Sequence, residues 1–66
     1  MRLFVNGEER AFSEVSTIAA LIASLALDPR KVAVERNLEI VPRSRHAQAR
    51  LADGDRIEIV HFIGGG

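Results

Sequence analysis

The chain of 66 residues contains no cysteine, tryptophan or tyrosine, and only three phenylalanines and two prolines. Without cysteine it has no disulfide framework, no thiolate nucleophile and no cysteine-based metal site, which fits a reducing cytoplasm. Nine basic residues balance nine acidic ones, so no excess of charge indicates a nucleic-acid or membrane-surface partner. No apolar run is long enough to cross a bilayer, and no apolar secretory segment follows Arg2. We therefore expect a cytoplasmic protein that binds neither nucleic acid nor membrane.

The size of the chain limits it to one small domain. Such a domain buries only about 60% of its unfolded surface, and it is too small for a deep substrate cavity of its own. The hydrophobic residues, 47% of the chain, suffice for a compact core. These limits argue against an independent enzyme.

A hairpin is predicted at the start of the chain. Apolar and polar residues alternate through residues 1–6, which is the pattern of a half-buried strand. Asn6-Gly7 is a strong short-range signal for a tight hairpin turn, and it predicts a returning strand over residues 9–12.

One helix follows the hairpin. Ser16 or Thr17 is suited to cap a helix that starts near Ile18, and Asp28-Pro29 is predicted to end it. Four apolar residues recur at the spacing of one helical face: Ile18, Leu21, Ile22 and Leu25.

Three further strands are predicted after the helix. Residues 32–34 and 38–41 are short apolar runs, and residues 43–51 are mostly polar and predict a short irregular helical turn. The turn sequence Asp53-Gly54-Asp55 introduces the last strand, residues 56–63. The predicted order of elements is therefore β-β-α-β-β-β.

This order predicts an α+β domain of two layers, because one helix can cover only one face of a sheet. The first and last strands are expected to be parallel neighbours. The helix should pack on five apolar residues of the sheet: Leu3, Val5, Val34, Ile57 and Ile59.

The opposite face of the sheet is predicted to be uncovered. Phe4 and Val60 would point outward there, and Phe62 follows close to the end of the chain. These residues are either a docking patch for a partner or an ordinary scatter of apolar side chains on the surface.

The basic cluster and the two histidines can be explained without a catalytic or metal-binding function. Arg43, Arg45 and Arg50 form a modest basic cluster, which is either a solvated loop or a contact with a partner. His46 and His61 have no metal-ligand partners at suitable spacing, so we interpret both as surface or structural residues and predict no metal site.

The chain ends on Gly64-Gly65-Gly66, directly after the last apolar run. Three glycines make a thin, pliable thread that reaches on the order of 10 Å when extended. Such a thread could present its terminal carboxylate inside a channel of another protein. The alternative is a frayed terminus without a function.

Several segments carry a resemblance to a known family. They are residues 32–37 (VAVERN), 39–44 (EIVPRS) and 53–58 (DGDRIE), followed by the glycine end. In this order the chain resembles the ubiquitin-like β-grasp fold and, more closely, the ThiS family of sulfur carriers for thiamine thiazole synthesis. The resemblance implies a β-grasp domain of five mixed strands and one main helix over residues 1–63, with a flexible tail over 64–66. Leu38 departs mildly from the family pattern, because a small or polar residue is more usual in that turn.

The resemblance implies a protein co-substrate, with no cofactor of its own, rather than an enzyme. A ThiF-type E1-like enzyme would use ATP to adenylate the carboxylate of Gly66. A persulfide donor would then supply sulfur, and a ThiG-type thiazole synthase would receive it from the resulting thiocarboxylate. Gly64, Gly65 and Ile63, with the patch of Phe4, Val60 and Phe62, would contact these partners. A monomer is expected for a carrier that exchanges partners.

Two other functions stay open at this point. A carrier of the molybdopterin-synthase type would use the same tail chemistry with a different acceptor. A ubiquitin-like protein modifier or binding module would instead be joined to lysines or to nothing.

Overall fold

A computed structural model describes residues 1–62, so Ile63, the predicted end of the last strand, and the predicted tail residues Gly64, Gly65 and Gly66 lie outside the described part. The helix is α1 (Ile18–Ser24), and the strands are β1 (Arg2–Val5), β2 (Glu8–Ala11), β3 (Val32–Arg36), β4 (Glu39–Val41) and β5 (Arg56–His61). Short 3-10 helices occupy Pro29–Lys31 and Arg43–Arg45. The predicted order of elements is confirmed.

The five strands form one mixed sheet in the order β2-β1-β5-β3-β4. Strands β1 and β5 are parallel, and the other neighbouring strands are antiparallel. The prediction that the first and last strands lie side by side is therefore confirmed, and the helix lies in the connection between the two hairpins.

The turn between β1 and β2 forms as Asn6-Gly7 predicts. Both residues have positive φ angles, 51° for Asn6 and 80° for Gly7, and Val5 pairs with Glu8 across a two-residue loop. This is the turn geometry whose twist matches that of the two flanking strands.

The helix begins as predicted but ends earlier. The Thr17 hydroxyl accepts a hydrogen bond of 3.1 Å from the Ala20 amide, which confirms the cap. The prediction that Asp28-Pro29 ends the helix is wrong. Ala26 takes a left-handed φ of 58°, and the amides of Ala26 and Leu27 bond back to the carbonyls of Ala23 and Ile22. These two bonds close the helix at its last turn, as in a Schellman motif.

The core lies between the helix and one face of the sheet. Every sheet residue predicted to pack there is buried, and so are Ile18, Leu21 and Ile22, whereas Leu25 is only partly buried because it caps the helix. Val15 and Leu51, which lie outside the regular elements, also enter the core. The amide of Leu51 bonds to the carbonyl of Ser16 at 2.9 Å, so these two connecting segments close one end of the core together.

The turn between β3 and β4 places a leucine, Leu38, in a backbone conformation that residues with a Cβ rarely adopt. Asn37 and Leu38 have φ angles of 50° and 72°, and the Leu38 side chain is 91% exposed. A left-handed conformation costs a residue with a Cβ on the order of 1–2 kcal/mol, and glycine avoids that cost.

We expect Leu38→Gly to raise the free energy of unfolding by about 1 kcal/mol, because it relieves this backbone strain. Leu38→Ala is the matched control, since it removes most of the exposed side chain but keeps the Cβ. Urea denaturation measures both. If the two variants are equally stable, the strain at Leu38 does not contribute.

Candidate functional site

Strand β5 leads to the end of the described chain, and its last residues are held on one side. His61 pairs with Val32, and the Phe62 amide donates a hydrogen bond of 2.9 Å to the Lys31 carbonyl. Lys31 ends the first 3-10 helix. The predicted reactive residue Gly66 and the predicted contact residues Ile63, Gly64 and Gly65 follow this point and lie outside the described residues.

On its other side, β5 is held by the side chain of Asn6. The Ile59 amide donates to Asn6 Oδ1 at 2.7 Å, and Asn6 Nδ2 donates to the Ile59 carbonyl at 3.3 Å. The paired stretch of β1 ends at Val5, opposite Ile57, and the Asn6 amide donates to the Ile57 carbonyl. The Asn6 side chain thus continues the ladder past the end of β1. Sequence reasoning assigned Asn6 only to the turn.

We expect Asn6→Gly to lower the free energy of unfolding by about 2 kcal/mol, because it removes two hydrogen bonds worth roughly 1 kcal/mol each. Glycine keeps the positive φ without strain, so the loss reports the side chain alone. Asn6→Asp retains the acceptor but not the donor and should lose less. Amide hydrogen exchange at Ile59 should accelerate in Asn6→Gly and change less in Asn6→Asp, which keeps the oxygen that accepts from this amide. Unchanged exchange in Asn6→Gly would contradict the assigned contact.

The 3-10 helix next to Phe62 is fixed by a local ion pair. Asp28 accepts from the Arg30 amide at 2.9 Å and from the Arg30 guanidinium at 3.2 and 3.0 Å. The guanidinium hydrogen bonds and then the amide hydrogen bond lower the pKa of Asp28 from its usual 3.8 to about 2. This contribution to stability is therefore complete above pH 3.8 and is lost as the pH falls through about 2.

We expect the Asp28 carboxyl to titrate in the folded chain with a midpoint of about 2. Its carboxyl carbon shift in acid titration measures this. Arg30→Ala should move the midpoint toward 3.8, because it removes the largest cause of the lowering. Lys31→Ala, which removes a weaker neighbouring charge, should move it little. A midpoint near 3.8 in the unsubstituted folded chain would show that the ion pair does not persist in solution.

The predicted docking patch is divided in two. Phe4 lies opposite Arg56, the first residue of β5, and the Arg56 guanidinium covers its ring at 4.9 Å from the centroid. Val60 and Phe62 lie at the other end of β5, and they are 61% and 52% exposed. The open face therefore presents Val60 and Phe62 beside the start of the tail, and a partly covered Phe4 at a distance from them.

Two acidic residues occupy the open face between these ends. Glu58 lies between Arg56 and Val60 along β5 and pairs directly with Glu35 of β3. Like charges in directly opposed positions repel, so this pair is unfavourable in the isolated chain. Beyond this pair, the residue of β3 opposite Val60 is the small apolar Ala33.

The turn and histidine residues have structural roles, as predicted. Asp55 accepts from the Ala52 amide at 2.8 Å and from Asn37 Nδ2 at 3.0 Å, and Asp53 accepts from the Arg2 amide at 2.7 Å. His46 is buried, and its Nε2 donates to the Val41 carbonyl at 3.1 Å.

His61 is an exposed residue of β5. Among residues 1–62, no group of three or more His, Cys, Asp or Glu side chains could hold a metal ion. No helix in that part of the chain is long and apolar enough to span a bilayer.

Sequence reasoning did not single out the exposed apolar residues at the β4 edge. Leu38 in the turn and Ile40 in β4, 72% exposed, are the most exposed large apolar side chains of the described chain. The available signal was Leu38 itself, because a large apolar residue is unusual at that turn position.

A sheet of this order with a single helix on one face defines a ubiquitin-like β-grasp domain. The structure of a thiamine biosynthesis protein (ThiS) from Geobacter metallireducens superposes with a TM-score of 0.85 and 30% identity, covering 100% of both chains. A family model described as ThiS family matches residues 3–66, and the chain belongs to that family. The fold class and the family expected from sequence are confirmed.

The curated relatives include a protein of the same length and two much longer ones. The sulfur carrier protein ThiS of Bacillus subtilis is 45% identical over 65 residues, which are 97% of this chain and 98% of that protein. A thiazole synthase of Paramagnetospirillum magneticum is 62% identical over 66 residues, and one of Magnetococcus marinus is 42% identical. The chain spans 20% of the length of each thiazole synthase.

Proposed function

We propose that this protein is the sulfur carrier of thiazole formation in thiamine biosynthesis, and that the α-carboxylate of Gly66 is its reacting group. The family match carries this proposal, because it extends through Gly66 and includes the glycine end. The 45% identity to the B. subtilis carrier over nearly the whole of both chains supports it.

The chemistry suits a carboxylate with no side chain beside it. An ionised carboxylate is a poor acyl electrophile, so it must first attack the α-phosphorus of ATP and release pyrophosphate. A sulfur nucleophile then attacks the acyl carbon of the adenylate and expels AMP. The chain has no cysteine, so both the sulfur and any thiol that frees the thiocarboxylate must come from partners.

Each of these chemical steps requires a partner protein. A ThiF-type E1-like adenylyltransferase would bind the ATP, a persulfide enzyme would supply sulfur, and a ThiG-type thiazole synthase would accept it. The two relatives named thiazole synthase support the last of these, since each contains a region matching this whole chain. We further propose that the carrier has no cofactor of its own and acts as a monomer in the cytoplasm, where ATP is available.

Val60 and Phe62 are the described residues best placed to meet these partners. Both are more than half exposed, and both lie in the final residues before the tail. A partner that receives the tail would necessarily approach this end of β5. Phe4 would contribute only where Arg56 moves off its ring.

We expect Gly65→Val to abolish thiocarboxylate formation, because a Cβ branch would not fit a channel shaped for bare backbone. The chain is incubated with a ThiF-type enzyme, ATP and a sulfide source, and its intact mass is followed for the exchange of one oxygen for sulfur. Ala52→Val, at an exposed position in the turn before β5 and so at the opposite end of that strand from the tail, is the matched control and should react normally.

A chain with one residue added after Gly66 should also fail to react, because the carboxylate is moved out of register. Normal yield of thiocarboxylate from Gly65→Val would overturn the proposed use of the tail. Isopeptide conjugates to lysine in place of the mass change would favour the protein modifier instead.

A further inference from the structure

An open groove lies beside β4. Its cavity volume is about 670 Å³, within the range of ligand-binding clefts. Within residues 1–62, strand β4 is an edge of the sheet and has no neighbouring strand on this side. The groove is lined by apolar atoms of Ile40, Val41, Pro42 and Ala49 and by the arginines Arg36, Arg45 and Arg50.

The charge of the groove differs from that of the whole chain. Three arginines and a single acidic residue, Glu39, line it, although the chain as a whole has no net charge. Residues 40–52 contain three arginines and no acidic residue. The groove is therefore a local concentration of positive charge on a neutral protein.

The arginines of the groove are not all engaged internally. Arg36 is oriented by a hydrogen bond to the Arg50 carbonyl and lies 3.9 Å from Asp55. Within residues 1–62, the side chains of Arg45 and Arg50 make no hydrogen bond or ion pair. Two cations on this wall are thus available to an incoming anion.

At the same edge of the sheet, large apolar side chains are exposed to water, which is energetically unfavourable. Ile40 lines the groove, and Leu38 projects from the adjoining turn in a strained left-handed conformation. Strain and apolar exposure at one site are features of surfaces that contact another molecule.

These features favour a polypeptide over a small anion or a nucleic acid. Phosphate would engage the arginines but leave Leu38 and Ile40 in water. A nucleic acid needs an extended basic surface, and a neutral chain with two free groove cations does not offer one. An extended peptide beside an edge strand can place alternate side chains against the charged wall and the apolar floor.

We propose that the groove beside β4, together with Leu38, binds an extended segment of a partner protein in which acidic and apolar side chains alternate. The acidic groups pair with Arg45 and Arg50, and the apolar groups cover Ile40 and Leu38. The groove shares Ile40, Val41 and Pro42 with a second cavity that Phe62 also lines, so this surface adjoins the end of β5.

The test is an amide chemical-shift titration of the isotope-labelled chain with a short blocked peptide of alternating glutamate and leucine. Shifts should concentrate at the β3–β4 turn, β4 and residues 45–50. Arg45→Glu should weaken binding about tenfold, because it replaces an attraction by a repulsion. Arg10→Glu changes the net charge equally but lies on β2, at the other edge of the sheet, and should bind as the unsubstituted chain does.

The apolar half of the proposal has its own controls. Ile40→Ser should weaken binding, and a peptide of alternating glutamate and serine should bind less tightly than the leucine peptide. Leu38→Gly should weaken binding while the chain becomes more stable, a combination that general damage to the fold would not produce. The spectrum of each variant without peptide shows whether it is folded.

Several results would overturn the proposal. They are equal loss of binding in Arg10→Glu and Arg45→Glu, shifts spread over both edges of the sheet, or no binding at millimolar peptide. Inorganic phosphate that displaced the peptide from the same residues would identify a small-anion site instead. Thiocarboxylate formation does not enter any of these readouts, so failure here leaves the carrier proposal unaffected.

Discussion

Strand β5 joins the two hairpins of the sheet, because it pairs with β1 of one hairpin and with β3 of the other. Among residues 1–62, the parallel pairing of β1 with β5 is the only strand pairing between the first hairpin and the rest of the sheet. Only Phe4 and Val5 are in register with β5, opposite Arg56 and Ile57. Few backbone bonds are available in so short a ladder, and polar groups at both ends extend it. At one end of the paired stretch, the Gly54 amide donates to the Arg2 carbonyl at 2.7 Å. At the other end, the Asn6 side chain forms hydrogen bonds with both backbone groups of Ile59. On the helix side of the sheet, the buried side chains of Leu3 and Ile57 pack beside this paired stretch of β1 and β5.

The contacts of β5 also fix the position of Phe62, the last described residue. Strand β5 is central, so it is held by β1 and Asn6 on one side and by β3 on the other. The hydrogen bond from Phe62 to Lys31 extends that support to the last described residue, and the Asp28–Arg30 pair fixes the short helix that contains Lys31. For the carrier function that we propose, a fixed end of β5 would help a partner to position the carboxylate of Gly66.

Most of the fold could be predicted because its signals are local. The Asn6-Gly7 turn, the Thr17 cap and the spacing of Ile18, Leu21 and Ile22 each follow from short-range geometry. The end of the helix could not be predicted, because Ala26 adopts a left-handed conformation that its side chain does not favour. Proline marked a later boundary, but the closing hydrogen bonds form before it. The hydrogen bonds between the Asn6 side chain and Ile59 could not be predicted either, since the two residues lie 53 positions apart in the sequence.

The residues of the candidate site likewise differ in whether neighbouring sequence positions or the folded structure brings them together. The glycine end and the apolar residues before it are contiguous, so the sequence indicates them directly. The basic groove instead combines Arg36 with Arg45 and Arg50, which meet only because β4 and the following loop fold beside β3. A net charge of zero excludes a strong overall attraction to polyanions, but it sets no limit on a local excess. Electrostatic recognition depends on the arrangement of charges at the contact, so a protein without net charge can still present a basic binding surface at one edge of its sheet.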